Sequence, residues 1–393
     1  MKVLFIANTF PSPDVPKVAP FNIRAAKNLT SEGVSLEIFH LRAWKPGRKV
    51  SSTYTIDGVK ITSVAFPFHA GLAPRMKALN VGLYKRQFYN FLKNNYDLSQ
   101  FDIIHTVGAA HAGVVGGFLK YKTGIPHIAQ CIGADVNYVL PEIKTYKGVK
   151  GFENYVDIFV GNSHSLANQA KSLFPDKPAA VVYRGIDLQT FKPDPFKLNE
   201  EFTVFSYLGG FSAGKTIHGR NEKGALVLLK AWRQLIEEHP DLNIILHFAG
   251  PRVTYEEVAE NLQRKPEELK VKIIGHLDRT EVRDFMQSSH VMLIPSMWDG
   301  LPNVGTESAA CGCAIIGSTA GGIPEVVGRG NLGILVEPGN VKELKDAIYK
   351  LATDRDLLNF YRKNSRPFME ANLDASQFAP GYIKIYNQLA KKQ

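Results

Sequence analysis

The chain has 393 residues, 45% hydrophobic and 21% charged, with 33 Gly, 22 Pro and only 3 Cys. That is long enough for two buried cores, and it carries no collagen-like or disordered bias. Apolar runs such as Val3–Ala7 and Ile244–Ala249 fall far short of the ~20 residues of a membrane span, and three scattered cysteines argue against a disulfide scaffold or a four-cysteine zinc site.

The net charge of +10 is uneven: residues 1–190 hold 22 Lys and Arg against 12 Asp and Glu, whereas residues 191–393 hold 25 of each. Between Gly58 and Tyr96 there is no acid, but Lys60, Arg75, Lys77, Lys85, Arg86 and Lys93 are present. Such a field favours an anionic partner: nucleic acid, an acidic membrane surface or a phosphorylated substrate. Met1-Lys2 runs straight into Val3-Leu4-Phe5-Ile6, which reads as a first buried strand and not as a signal peptide. A reducing cytoplasm suits the sparse cysteines.

Strand-like runs are expected at Lys2–Ala7, Ser35–His40, Asp102–Thr106, His127–Cys131, Ile158–Gly161 and Ala180–Tyr183, with helices at Phe21–Glu32 and Ala112–Thr123. Thr53–Phe66 reads as a hairpin turning at Asp57-Gly58. Pro193-Asp194-Pro195 marks a junction. The pattern then restarts with strands at Phe202–Leu208, Leu242–Ala249, Val271–Ile274, Val291–Ile294, Ala314–Ile316 and Gly333–Leu335, and one apolar helical stripe along Ala225–Glu238. The alternation predicts an α/β protein of two doubly wound, parallel-sheet, Rossmann-like domains facing across a cleft. Residues 1–190 form the first and 191–375 the second, with a C-terminal helix in 376–393 packing back on the first.

Ligands of such sheets lie beyond the carboxyl ends of the strands. The loop after the first strand, Asn8 to Pro13, has no Gly-x-Gly-x-x-Gly, which removes the main support for a dinucleotide-dependent dehydrogenase. Gly209 to Thr216 matches the spacing of a phosphate loop, ending Gly214-Lys215-Thr216. The next clear helix begins only near Lys223, however, and a phosphate loop needs its helix to start at the Lys-Thr pair. The most informative stretch is Ile294–Gly312: a buried strand ends at Pro295, a Gly- and Pro-containing loop follows, and a helix starts around Asn303–Gly305. Asp299 and Glu307 flank that helix start, with seven residues between them. Main-chain N–H groups there suit a phosphate, and two carboxylates suit sugar hydroxyls.

This stretch resembles the signature of glycosyltransferase family 4, retaining enzymes of the GT-B fold with a Glu, seven residues, Glu motif. Gly321-Gly322-Ile323-Pro324-Glu325, Gly333-Ile334-Leu335-Val336, Gly275-His276-Leu277-Asp278 and Arg184-Gly185-Ile186-Asp187 agree with it. The resemblance implies that the second domain binds a nucleotide-sugar, with UDP as the expected nucleotide. Glu307 would hold the ribose and Asp299, in place of the usual Glu, the donor sugar. The main chain of Leu301, Pro302, Asn303 and Val304 would cradle sugar and phosphate, and the base would lie near Ile274 and Gly275. Lys223 matches the family's diphosphate lysine. The family's arginine is Gly210 here, and Arg220 is the candidate replacement. In the first domain a His-Gly-x-Asp run reads Ile132-Gly133-Ala134-Asp135, so Asp135 remains, the histidine is lost, and His111 or His105 is its candidate substitute.

The function so implied is transfer of a sugar, with retention, to an acceptor hydroxyl in cell-surface polysaccharide or glycolipid synthesis. No cofactor or metal is expected, since cations of the chain would stabilise the leaving diphosphate. The acceptor would be lipid-linked or an anionic glycan, and the enzyme cytoplasmic with peripheral contact at the inner face of the plasma membrane. Two alternatives are an inactive donor-binding homologue acting as a scaffold and a sugar-nucleotide epimerase. Asp354-Arg355-Asp356 reads as a helix start, not a metal motif, and Cys311-Gly312-Cys313 as a helix end. The mixed basic and aromatic segment Arg75–Lys93 fits either an anionic membrane surface or a packed helix, and no nucleic-acid-binding module is recognisable.

Overall fold

The computed structural model describes residues 1–15, 19–43, 49–66, 74–146, 148–198, 201–211 and 221–391, with the main chain alone in 74–81. The chain divides into two compact units, one of Met1–Arg184 with Ser376–Gln393 and one of Gly185–Ala375.

In the first unit the strands are β1 (Lys2–Ala7), β2 (Ser35–Ala43), β3 (Ser51–Ile56), β4 (Val59–Phe66), β5 (Ile103–Val107), β6 (His127–Cys131), β7 (Ile158–Gly161) and β8 (Ala179–Val181). They form one sheet in the order β3-β4-β2-β1-β5-β6-β7-β8. Only β3 is antiparallel to its neighbour, because the β3–β4 hairpin turns at Asp57-Gly58 with positive φ at both residues. Helices α1 (Pro20–Ser31), α2 (Pro74–Asn95), α3 (His111–Thr123), α4 (Leu140–Ile143) and α5 (His164–Leu173) follow the strands. Alternate residues of β1 enter different cores. Val3, Phe5 and Ala7 join Ile23, Ala26 and Leu29 of α1, while Leu4 and Ile6 join Phe88 and Leu92 of α2 and Val115 and Leu119 of α3. A strand covered on both faces is therefore apolar at every position, which is why the run is continuous in the sequence.

The second unit contains β9 (Thr203–Leu208), β10 (Ile244–Ala249), β11 (Val271–Gly275), β12 (Val291–Ile294), β13 (Ala314–Ser318) and β14 (Gly333–Val336). They pair in parallel in the order β11-β10-β9-β12-β13-β14. The order reverses between β9 and β12, so the loops leaving these two strands diverge and open a crevice, the usual ligand position in such sheets. Helices α6 (Ala225–Glu238), α7 (Tyr255–Leu262), α8 (Arg279–Gln287), α9 (Asn303–Ala310) and α10 (Ile323–Val326) lie between the strands, and α11 (Val341–Thr353) and α12 (Arg355–Asn372) follow the last of them. Leu228, Leu229, Trp232, Leu235 and Ile236 of α6 are all buried. Each such large apolar side chain contributes about 1.5–3 kcal/mol. The indole N–H of Trp232 donates to Leu269 O at 2.7 Å, so its polar end is satisfied too. Asp354 caps α12, accepting from Leu357 N at 2.9 Å, so the Asp-Arg-Asp run is a helix start.

After the second unit the chain returns as α13 (Phe378–Ala390), whose Phe378, Tyr382, Ile385, Tyr386 and Leu389 share one core with Val3, Phe5 and Ile103 of the first sheet. Among the described residues, no helix is long and apolar enough to cross a membrane.

Candidate functional site

The sheet reversal in the second unit brings two of the sequence-predicted donor residues together, Lys223 and Asp299. Lys223 ends the connection from β9 to α6, and Asp299 lies in the loop after β12. Lys223 Nζ donates to Asp299 Oδ2 at 2.6 Å, with the lysine side chain 41% exposed and the aspartate 19%. Three backbone features create this meeting. The single hydroxyl proton of Tyr207 on β9 is shared between Gly210 O at 3.0 Å and Lys223 O at 3.2 Å, which ties the two ends of the connection to one point. Gly224 follows with φ 76°, and a Cβ there would overlap the carbonyl oxygen of Pro295. The start of α6 can approach the end of β12 only because that position lacks a side chain. Met297 N donates to Glu222 O at 2.9 Å, tying the two loops directly.

Asp299 is held from the other side by the Gly321-Gly322 pair. Gly322 N donates to Asp299 O at 2.9 Å, and Gly321, at φ 60°, sits so close that a Cβ would overlap the same oxygen. The loop then enters α9, whose first turn has no side-chain cap. Its N-terminal N–H groups, near Asn303 and Val304, suit an anion. Leu301 and Val304 are half-buried, Pro302 is buried and Asn303 is exposed. Glu307 is half-buried within α9. Ile274 and Gly275 end β11, and Gly275 O accepts from Gly250 N at 2.7 Å. Arg220 and the Gly214-Lys215-Thr216 run lie outside the described residues.

In the first unit Asp135 is buried and engaged by main-chain donors. Ala109 N donates to Oδ2 at 2.7 Å, Gly133 N to Oδ1 at 2.7 Å and Ile132 N to Oδ1 at 3.0 Å. Burial pushes its carboxyl above the usual range, and the amides pull in the opposite direction. Asp135 thus joins the loop after β6 to the turn before α3, where His111 is the first helical residue. Its carboxylate accepts from backbone on both sides of this junction. His105 is structural: fully buried on β5, it lies 2.6 Å from the Tyr386 hydroxyl through Nδ1 and 3.3 Å from Gln130 through Nε2. Burial lowers its pKa to about 3.

Residues 18–190 match the family described as Glycosyltransferase Family 4, and residues 211–354 match that described as Glycosyl transferases group 1. The chain belongs to glycosyltransferase family 4. It is similar to an uncharacterized glycosyltransferase of Methanocaldococcus jannaschii, 26% identical over 317 residues that cover 81% of this chain and 84% of that protein. It is also similar to the UDP-Gal:alpha-D-GlcNAc-diphosphoundecaprenol alpha-1,3-galactosyltransferase of Escherichia coli, 24% identical with 71% and 72% of the two chains covered. Among solved structures, Anabaena HepE in complex with UDP superposes with a TM-score of 0.71 at 15% identity, covering 99% of this chain and 100% of that one. The likeness to solved structures shows the GT-B fold.

Within this family 4 glycosyltransferase, the sequence assigns Lys223 to the diphosphate and Asp299 to the sugar separately, and the structure adds that the two meet. Sequence reading misses the Tyr207 clamp. The signal for the latter was a tyrosine near the end of an otherwise buried strand, whose hydroxyl needs a partner.

Proposed function

We propose that the protein is a retaining glycosyltransferase that moves a sugar from a UDP-sugar, bound by the second unit, to a hydroxyl of an acceptor bound by the first. The observation that carries this reading is the 2.6 Å Lys223–Asp299 pair beside the uncapped start of α9, at the reversal of the sheet. The entering diphosphate takes the Lys223 ammonium and the N–H groups near Asn303 and Val304. Asp299, released from the lysine, accepts from the sugar hydroxyls, and Glu307 accepts from the ribose. The acceptor hydroxyl attacks the anomeric carbon on the face that the phosphate leaves. The bond to the phosphate oxygen breaks, the bond to the acceptor oxygen forms, and the departing phosphate takes the proton. Lys223 stabilises the charge that grows on the leaving group, a task that otherwise falls to a divalent cation. Asp135 holds the loop that presents His111 on the acceptor side. UDP as nucleotide is supported by the UDP-bound HepE structure and by the UDP-Gal in the name of the Escherichia coli relative, whose name also carries a diphosphoundecaprenol acceptor. That name supports a place in surface polysaccharide or glycolipid synthesis.

Calorimetry with UDP tests the reading. Glu307→Ala removes a charge-assisted pair of ~1.5–3 kcal/mol, so affinity falls about 10- to 150-fold. Unchanged affinity would place the donor elsewhere. Slow release of UDP from a UDP-sugar, persisting in EDTA, separates this enzyme from an inactive scaffold, which releases none, and from a metal-dependent transferase, which stops.

A further inference from the structure

The ends of β6, β7 and β8 hold a cation that the reaction above does not use. Arg184, just beyond β8, lies over the ring of Phe21 at the start of α1, 4.1 Å from its centroid. Asn162, beyond β7, turns its amide oxygen to the guanidinium, 2.8 Å from both Nε and Nη2, in the orientation that satisfies both groups. The Asn162 amide meets that of Gln130 at 2.7 Å, Gln130 meets His105, and His105 meets Tyr386 on α13. Every link in this chain is neutral. Burial holds the imidazole down near 3 and pushes the Tyr386 phenol well up, so neither carries charge at neutral pH.

Among the described residues, no carboxylate hydrogen-bonds Arg184. Asp135 is within electrostatic reach, but its oxygens are taken by the amides of Ala109, Ile132 and Gly133. Burial lowers the guanidinium pKa to about 10, against the opposing pull of Tyr382 and Asp135, and the residue as a whole is half-buried. Nη1 donates to no described residue. Also within electrostatic reach, the Tyr382 hydroxyl is buried with no hydrogen-bond partner among the described residues. Two polar groups thus have unused capacity in one place, at the strand ends where doubly wound sheets take ligands. A guanidinium fixed by stacking and by an amide, but lacking an anion, is preorganised for a planar or tetrahedral oxyanion.

We propose that Arg184, with Tyr382 beside it, binds a phosphate group carried by the acceptor. The acceptor part of this rests on the glycosyltransferase reading of the first unit; the anion site itself does not. The test uses the full chain with UDP present, so that the second unit is filled. The Arg184 Nε–H resonance, assigned by its loss in Arg184→Gln, is followed while inorganic phosphate is added and, separately, farnesyl phosphate. A saturable shift is expected with both, tighter for farnesyl phosphate if the phosphate belongs to a lipid-linked acceptor and equal if the group alone is read. Arg184→Gln should weaken phosphate binding about 10- to 100-fold with UDP affinity unchanged. Asn162→Asp places a carboxylate on the guanidinium from within; it should raise the melting temperature and weaken phosphate binding by a similar factor. That variant keeps the test open if Arg184→Gln fails to fold. An Arg184 resonance unmoved by either probe, in protein that binds UDP normally, overturns the proposal. Failure to bind UDP would instead overturn the donor-site reading and leave the anion site standing.

Discussion

Asp299, one methylene shorter than the glutamate that the motif resemblance places there, contacts Lys223 at 2.6 Å. The pair is partly exposed, so its own contribution to stability is small, about 0–1 kcal/mol. Breaking it when the diphosphate arrives therefore opposes binding only slightly. Asp299→Asn should leave UDP affinity unchanged or tighten it by at most about fivefold, while turnover falls sharply because the sugar loses an acceptor of its hydrogen bonds. Asp299→Glu should keep turnover. Calorimetry with UDP and a transfer or hydrolysis assay check both; loss of UDP affinity as large as in Glu307→Ala would contradict this division of labour. Nothing local in the sequence announces the pair, because 76 positions separate its members and only the approach of two loops joins them. The engagement of Asp135 by backbone is hidden for the same reason. A carboxylate in a motif looks identical whether it faces a ligand or three amides.

Elements were more legible than contacts. Central parallel strands are covered on both faces, so β1, β6, β7 and β12 read directly as apolar runs with bounds that agree with the structure. Short helices such as α4 and α10, with 4 residues each, complete barely one turn and leave no periodic trace. The close approach of α6 to β12 was not legible either, although Gly224 is its visible mark. Gly224→Ala must adopt φ near 76° and displace the Pro295 carbonyl. We expect a cost of about 2–3 kcal/mol, lowering the melting temperature by about 5–10 °C. Gly124→Ala is the control: its φ is 77°, but nothing lies within 4 Å of the added methyl. It should lose only about 1 kcal/mol. Equal losses, measured by thermal denaturation, would show that conformation and not crowding governs Gly224.

At the scale of the molecule, the +10 charge belongs to residues 1–190. In α2, Arg86 and Lys93 are exposed, but Lys85 is not part of a free basic face: its ammonium donates to Gly148 O at 2.5 Å and lies 5.2 Å from the Phe118 ring centroid. Burial lowers its pKa, with help from Arg86. Replacing Arg75, Lys77 and Arg86 with glutamine should reduce sedimentation with anionic vesicles and leave UDP affinity intact, whereas Lys85→Gln should mainly reduce stability. Binding should weaken with salt, since the Debye length falls from about 10 Å at 0.1 M to about 3 Å at 1 M. Equal sedimentation with neutral and anionic vesicles would remove the membrane from the account. A different consequence follows from α13. Its apolar face completes the core of a sheet whose strands were synthesised before the whole of Gly185–Ala375. On the ribosome, the face of that sheet later covered by Tyr382 and Tyr386 stays open while some 190 further residues are added. The second unit has every residue of its own core shortly before α13 supplies the last residues of the first. The first half, made first, is therefore the part whose core stays incomplete longest on the ribosome.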